Sequence, residues 1–394
     1  MENTVLLSGA RTPIGKLSGS LSGFSAAALG GIAITGALER AKIDPDLVDY
    51  VIMGQVLQAG TGQVTARQAA VAAGIPMSTP AITINKVCLS GLNAIYLAAQ
   101  MIEAGDAQVV VAGGMESMTN APYLIPKGRG GYRYGNSEIL DVIQHDGLFC
   151  ALEKELMGEG TERYAASASI DRDIQDELAA DSHARAGAAI SAGTLSEEIV
   201  PVLIPQRKGD PISFEVDEGV RSGTDAAGLA KLRPAFAESG NITAGNASQI
   251  SDGGSAIVVV SRTFAESHGV DPLANIISYG QVAGPDTSLL TQPSRAINQS
   301  LDAAGMSLSD IDLFEINEAF AAVSAASMKD LGLSNDIVNV NGGAIALGHP
   351  LGATGARLMT TLIHEMKRSN LKYGLQTMCE GGGQANVTIL ENCQ

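Results

Sequence analysis

The second half of this 394-residue chain repeats the first, and that repeat limits what the chain can fold into. After a helical stretch, residues 309–317 (S-D-I-D-L-F-E-I-N) parallel residues 47–54 (L-V-D-Y-V-I-M-G). Residues 337–342 (I-V-N-V-N-G) parallel 82–85 (I-T-I-N). Residues 373–379, followed by Gly381-Gly382-Gly383 and by 385–390, parallel the apolar runs at 108–114 and 256–260. Short β-branched runs alternate with stretches whose apolar residues recur every three or four positions, which predicts an α/β fold. Two such units imply a pseudo-two-fold axis, with strand-to-helix turns from both halves meeting at a shared interface. Between residue 116 and about 250 the pattern lapses into mixed, charged, turn-rich sequence with one amphipathic helix at 175–189. That region reads as an insertion that interrupts the first unit before the strand at 256–260. The boundaries are therefore 1–119 plus 251–271 for the first half, 120–250 for the insertion and 272–394 for the second half.

The rest of the composition narrows the function classes. A net charge of −17 argues against nucleic acid or an anionic membrane as the main partner, so an anionic substrate needs a local basic patch. The 46 glycines and the absence of tryptophan suggest tight packing with close backbone contacts. Four widely spaced cysteines, with no C-x-x-C pair, give neither a disulfide framework nor a zinc site. The chain enters a strand directly from M-E-N-T-V-L-L, without a basic or apolar leader, and no uninterrupted apolar run reaches spanning length. The expected compartment is a reducing cytoplasm.

Cys88 stands where the strand 80–84 turns into the buried helix that follows Asn85 and ends at Gly105. Helix N-terminal N–H groups stabilise a thiolate there, although a free cysteine in such a stretch also serves as a small core hydrophobe. His349 sits in N-V-N-G-G-A-I-A-L-G-H-P-L-G-A-T-G-A-R, where glycines and Pro350 would fix an imidazole on a rigid turn. Cys379 ends a strand ahead of three glycines, a turn able to offer N–H donors to an oxyanion. Asn317, in E-I-N-E-A-F-A, reads as a site residue, as a helix N-cap, or as both. Residues 9–16 fail the phosphate-loop spacing, and His364-Glu365 lacks the second histidine of a zinc motif. Cys150, Cys393, His145, His183 and His268 lack supporting context and are assigned to structure or surface.

The segments C-L-S-G, G-G-M-E-S-M, N-E-A-F-A, G-H-P-L-G-A-T-G and C-E-G-G-G, in this order over essentially the whole chain, closely resemble thiolases, best the short-chain acetyl-CoA C-acetyltransferase group. The resemblance implies a layered, duplicated α/β fold with an inserted loop domain that binds coenzyme A and helps to build a homotetramer. It implies that Cys88 is the acylated nucleophile, that His349 activates it, and that Cys379 is the acid–base acting on the second acetyl-CoA. It implies one oxyanion hole from Asn317 (through a water) with His349, and another from the N–H groups of Cys88 and Gly381. The coenzyme A contacts it implies are Met157, Arg221, Ser248, Ala319 and Phe320. Acetyl-CoA, acetoacetyl-CoA and coenzyme A are then the small-molecule partners, with no permanently bound cofactor and no metal. Three positions depart from the family pattern: Leu156 where a histidine is common, Gly228 where a serine is frequent, and Glu380 where a small or apolar residue is usual. Longer-chain 3-ketoacyl-CoA thiolases share the catalytic set, and a silent acyl-CoA-binding paralogue is the reading from another class. Ketoacyl synthases resemble a Cys-His-His arrangement instead, which the Cys379 segment does not match.

Overall fold

The computed structural model describes residues 3–394. The first half contributes strands β1 (Thr4–Arg11), β2 (Tyr50–Gly54), β3 (Ala81–Ile84), β4 (Val109–Ser117) and β5 (Ser251–Ser261). The second half contributes β6 (Ala274–Ala283), β7 (Leu313–Ile316), β8 (Tyr373–Glu380) and β9 (Gln384–Asn392). They form a continuous sheet in the order β7-β8-β9-β6-β1-β5-β4-β2-β3, with the short pair Gly15–Lys16 added against β5. The halves meet at β1 and β6, which share only Val5↔Asn275 and Leu6↔Ala274. Reading outward from that junction, β5 answers to β9, β4 to β8 and β2 to β7. β1, β4 and β5 are buried along their whole length, which is why they read as near-continuous apolar runs rather than alternating ones.

The counterpart of β3 is absent as a strand. Only the bridge Phe314↔Val338 survives, because Asn339 turns the chain to φ 49°. Its side chain then takes over the pairing: Oδ1 accepts from the Ile316 N–H at 2.8 Å, and Nδ2 donates to the Ile316 carbonyl at 2.8 Å. Asparagine is among the few residues that adopt this conformation at low cost.

Helices α1 (Ala26–Ala41) and α2 (Thr65–Ala72) cover the outer face of the first half. Ser25 caps α1, its hydroxyl accepting from the Ala28 N–H. Between the two halves of the sheet lie α3 (Ser90–Ala104) and, from the second half, the helix Leu351–Arg368. Their core contains Leu92, Ile95, Leu358, Met359 and Leu362, packed on Leu6, Ile257 and Val259. Each such side chain contributes about 2 kcal/mol by leaving water. The two helices touch backbone to backbone: a Cβ on Gly355 would stand 2.3 Å from the Leu92 nitrogen, and one on Gly91 would stand 2.8 Å from the Gly352 carbonyl oxygen. Residues 87–104 are long and apolar enough to cross a membrane by length and composition, but half of that window is buried inside this core.

The insertion contains α4 (Met157–Ala168) and α5 (Arg172–Ser191). After it, the second half adds α6 (Gln292–Ala304) on its outer face, α7 (Ala321–Leu331), and the helix already met at Leu351–Arg368, here α8. One buried cation ties the insertion to β1. Arg11 Nε meets Glu198 Oε1 at 2.6 Å, and its two terminal nitrogens meet the Asp217 carboxylate at 2.7 and 2.9 Å.

Candidate active site

Cys88 lies in a tight turn two residues ahead of α3, rather than within its first turn. Val87 takes φ 45°, a costly conformation for a β-branched residue, and the turn is over-determined by its hydrogen bonds. Asn85 Oδ1 accepts from the Val87 N–H at 2.9 Å, the Ser90 hydroxyl donates to the Val87 carbonyl at 2.6 Å, and the same hydroxyl accepts from the Lys86 N–H at 2.8 Å. The side chain at 88 is thereby turned toward the second half, where it remains partly exposed.

His349 is fixed with similar care. Gly348 sits at φ 114°, and a Cβ there would stand 2.4 Å from the Ser251 hydroxyl, so no other residue fits. The His349 N–H donates to the Gln249 carbonyl at 3.1 Å, and the ring packs at the start of α8. Its Nδ1 is 2.7 Å from Thr354 Oγ1. That hydroxyl spends its one proton on the Pro350 carbonyl at 2.9 Å, so it must accept from Nδ1–H. The tautomer follows: Nε2 carries the lone pair, and it is buried with no protein partner among the described residues. Burial, then the Arg357 charge, lowers the imidazole to about 3, so the ring is neutral at physiological pH.

Cys379 is fully buried near the end of β8, and Gly381 follows it. Cys88, His349, Cys379, Glu380 and Gly381 line one small chamber of about 50 Å³ together with Leu148, Met157, Leu289, Ala319 and Phe320. The backbone N–H groups of Cys88 and Gly381 both act on the Cys88 sulfur. The chamber adjoins a cleft of about 700 Å³ through shared walls of Leu148, Met157, Ser248, Phe320, His349 and Leu351. Arg221 and Lys16 stand in that cleft beside Asp141, and Lys16 lies 3.9 Å from the Glu218 carboxylate, so Arg221 is the main local cation for an anionic ligand. All five residues expected at a coenzyme A site therefore line either cleft or chamber, as does the departing Leu156. Gly228 is elsewhere, its N–H bound to the Asp225 carboxylate at 2.7 Å.

Two sequence expectations need correction. Asn317 does not cap a helix: α7 begins at Ala321 after Phe320, and the Asn317 side chain is buried with neither oxygen nor nitrogen partnered among the described residues. Its backbone continues the β7–β8 pairing through the Thr377 carbonyl at 3.1 Å. The thiolate expected at Cys88 is not favoured either. Burial, then the negative charge of Cys379 and of Glu380, pushes the thiol well above its ordinary value, and the two backbone N–H groups only oppose this. Cys379 is pushed up to about 12, by burial first and with Glu380 adding to it, while its own N–H opposes. Both thiols rest protonated beside a neutral imidazole.

Three supporting residues were given no site role from the sequence, although Glu116 and Thr354 lie within the segments that carry the resemblance. Glu116, in the G-G-M-E-S segment, accepts from the N–H groups of Val56, Leu57 and Gly352 at 3.0, 3.2 and 2.9 Å. It ties β4 to the start of α8, and burial raises it to about 7 against those bonds. His183, assigned to structure or surface, does hold structure: its Nδ1 accepts from the Arg221 N–H at 3.2 Å. The third is Thr354, which selects the His349 tautomer.

Comparison with known proteins agrees with this geometry. The family descriptions "Thiolase, N-terminal domain" and "Thiolase, C-terminal domain" match residues 4–263 and 270–392. A "Probable acetyl-CoA acetyltransferase" of Mycobacterium tuberculosis is 53% identical over 390 residues, 99% of each chain. The "Acetyl-CoA acetyltransferase" of Escherichia coli is 48% identical over 392 residues, again 99% of each. The crystal structure of the Bacillus anthracis acetyl-CoA acetyltransferase superposes with a TM-score of 0.96 at 39% identity, covering 99% of this chain and 98% of that one.

Proposed function

The chain belongs to the thiolase family of acyltransferases, and from that premise we propose that it catalyses the reversible Claisen condensation of two acetyl-CoA to acetoacetyl-CoA and coenzyme A through an acetyl-Cys88 intermediate. The observation that carries this reading is the small chamber in which two thiols, an imidazole with a free Nε2 and a glycine turn face one another, open to a cleft with basic residues.

In the first half-reaction His349 Nε2 takes the Cys88 proton as the sulfur attacks the thioester carbonyl. The N–H groups of Cys88 and Gly381 receive the oxyanion. Coenzyme A leaves as a thiol with the Cys379 proton. In the second half-reaction the Cys379 thiolate removes an α-proton from a second acetyl-CoA. The enolate oxygen is stabilised by His349 and by Asn317 through a water. The carbanion displaces the Cys88 sulfur from the acetyl group, and that sulfur recovers its proton from His349. Neutral resting groups suit this scheme, since charge then develops only when substrate has closed the chamber. Thiolysis runs the same steps in reverse.

The pantetheine arm would run past Met157, Ser248 and Phe320, with Arg221 at the nucleotide end. A chamber of about 50 Å³ supports a short acyl group over the long chains of 3-ketoacyl-CoA degradation. The same reading includes a cytoplasmic homotetramer. Exposed Tyr123, Ile125 and Tyr134 on the insertion support an assembly contact there, and sedimentation equilibrium tests it. Steady-state kinetics across a chain-length series test the function. Ping-pong patterns, with kcat/KM highest for acetoacetyl-CoA and falling with each added carbon pair, are expected. A sequential mechanism, or a preference for long chains, would overturn the reading.

A further inference from the structure

Glu380 lies within the chamber, and the acyl-transfer steps make no use of it. It follows Cys379 on β8 and is 2% exposed. Gln384 Nε2 donates to its Oε1, while its Oε2 is buried and unpartnered among the described residues. The cation that acts on it is Lys86, in the Cys88 turn, whose ammonium is held by Gln281 Oε1 at 3.0 Å and Asn386 Oδ1 at 3.1 Å. A buried carboxylate beside two thiols that must ionise opposes each thiolate. A small or apolar residue would impose no such opposition.

We propose that Glu380 is a positioning residue that controls the ionisation of both thiols: charged, its carboxyl holds Cys88 and Cys379 protonated, and protonated, it releases them. This rests on Cys88 as nucleophile and Cys379 as acid–base. Burial raises Glu380 to about 8, against the Lys86 charge and the Gln384 hydrogen bond. The carboxyl is therefore mostly protonated near neutrality and becomes an anion over the range where a thiol begins to ionise. The groups then titrate as a coupled set. The other charged and titratable groups around it come from four elements. Lys86 and Cys88 lie in the turn before α3, Cys379 on β8, His349 ahead of α8, and Tyr279 on β6 behind Asn386. His349 stays neutral throughout this range, and burial keeps the Tyr279 phenol protonated. The Cys88 titration is consequently broader than that of a single proton.

The test is the rate of Cys88 alkylation by iodoacetamide as a function of pH, followed by peptide mapping. This reads thiol acidity whether or not acetyl transfer occurs, so it remains informative if acetyl-CoA fails to label the protein. The wild-type curve is expected to be shallow. Glu380→Gln keeps the shape and an acceptor for Gln384. It should steepen the curve to one proton and lower its midpoint by about one unit, which is up to about tenfold faster alkylation at a fixed pH above about 8 and below both midpoints, with no difference at lower pH where the wild-type carboxyl is also neutral. Glu380→Ile, which removes the charge and the hydrogen bond together, should move it in the same direction. Superimposable curves for wild type and Glu380→Gln would overturn the proposal, as would a shift confined to Glu380→Ile, which would mark packing as the cause.

Discussion

Thr354→Val tests the tautomer of His349; it also removes the hydroxyl's bond to the Pro350 carbonyl, which keeps the N–H groups of Ala353 and Thr354 as donors. Valine fills nearly the same volume, so no cavity opens in the α3–α8 core. What disappears is the oxygen that accepts from Nδ1–H at 2.7 Å. A buried donor left without a partner costs about 1–3 kcal/mol. Moving the proton to Nε2 does not avoid that cost, because Nε2 is also buried without a protein partner among the described residues. The bias of about 2 kcal/mol that now favours a free Nε2 would be lost, and the two tautomers would be about equally populated. Acetylation of Cys88 should slow by about 2–10-fold, from the halved competent population and the loss of the bond that orients the ring. KM for acetyl-CoA should change little, because Thr354 lines neither cleft nor chamber. Rapid-quench measurement of acetyl-enzyme formation reads this directly. Thr354→Ser restores the hydroxyl and should recover most of the rate. A wild-type rate in Thr354→Val, or equal impairment in Thr354→Ser, would refute the tautomer argument.

Other outcomes follow from the same geometry. Asn317→Ala should lower kcat by about 10²–10³-fold, as loss of an oxyanion-hole donor does, while acetyl-Cys88 still accumulates; an unchanged kcat would remove Asn317 from the chemistry. Gly348→Ala forces a Cβ to within 2.4 Å of the Ser251 hydroxyl at φ 114°, so a fall of several degrees in Tm together with loss of activity is expected. Arg11→Met leaves Glu198 and Asp217 buried without their cation and should destabilise by about 3–5 kcal/mol in urea titrations, with Glu198→Gln milder because Asp217 keeps its bidentate partner. The depressed histidines give a pH dependence of known sign. His349 at about 3 and His183 at about 4 stay neutral in the folded protein while the unfolded chain binds protons below its ordinary value near 6.5. Stability is therefore full above that value and falls as pH drops toward 4, with a slope of up to about 1.4 kcal/mol per pH unit for each histidine. His349→Asn should flatten that slope in urea midpoints measured between pH 7 and 5, and an unchanged slope would contradict the burial argument.

The repeat was legible because β4 with β8, and β5 with β9, are buried on similar faces and so carry similar apolar runs. The loss of a strand at Val338 was not, since I-V-N-V-N reads as β-branched whether or not Asn339 turns left-handed. Cys88, His349 and Cys379 stood out through their glycine-framed turns, which exist to place a side chain rigidly. Asn317 was ambiguous because a strand-end asparagine before a helix looks the same as a cap. Only the start of α7 at Ala321, beyond Phe320, separates the two. The ionisation of Cys88 is misread from sequence alone, whereas the rise that Glu380 adds to that of burial at Cys379 follows from their adjacency in the sequence. A helix N-terminus is visible in sequence, whereas the burial and the Glu380 carboxyl that outweigh it come from residues nearly 300 positions away. Arg11 with Glu198 and Asp217, and Glu116 with Gly352, are hidden for the same reason: each pair is joined only after the two halves and the insertion have packed.

The central claim is that Cys88 carries the acyl group between two coenzyme A thioesters. Brief mixing with acetyl-CoA, followed by intact-mass and peptide mass spectrometry, tests it directly. A single acetyl group on the peptide containing Cys88, lost when coenzyme A is added, is the predicted result. No adduct, or an adduct on Cys379 or a surface lysine with Cys88 unmodified, would contradict the account.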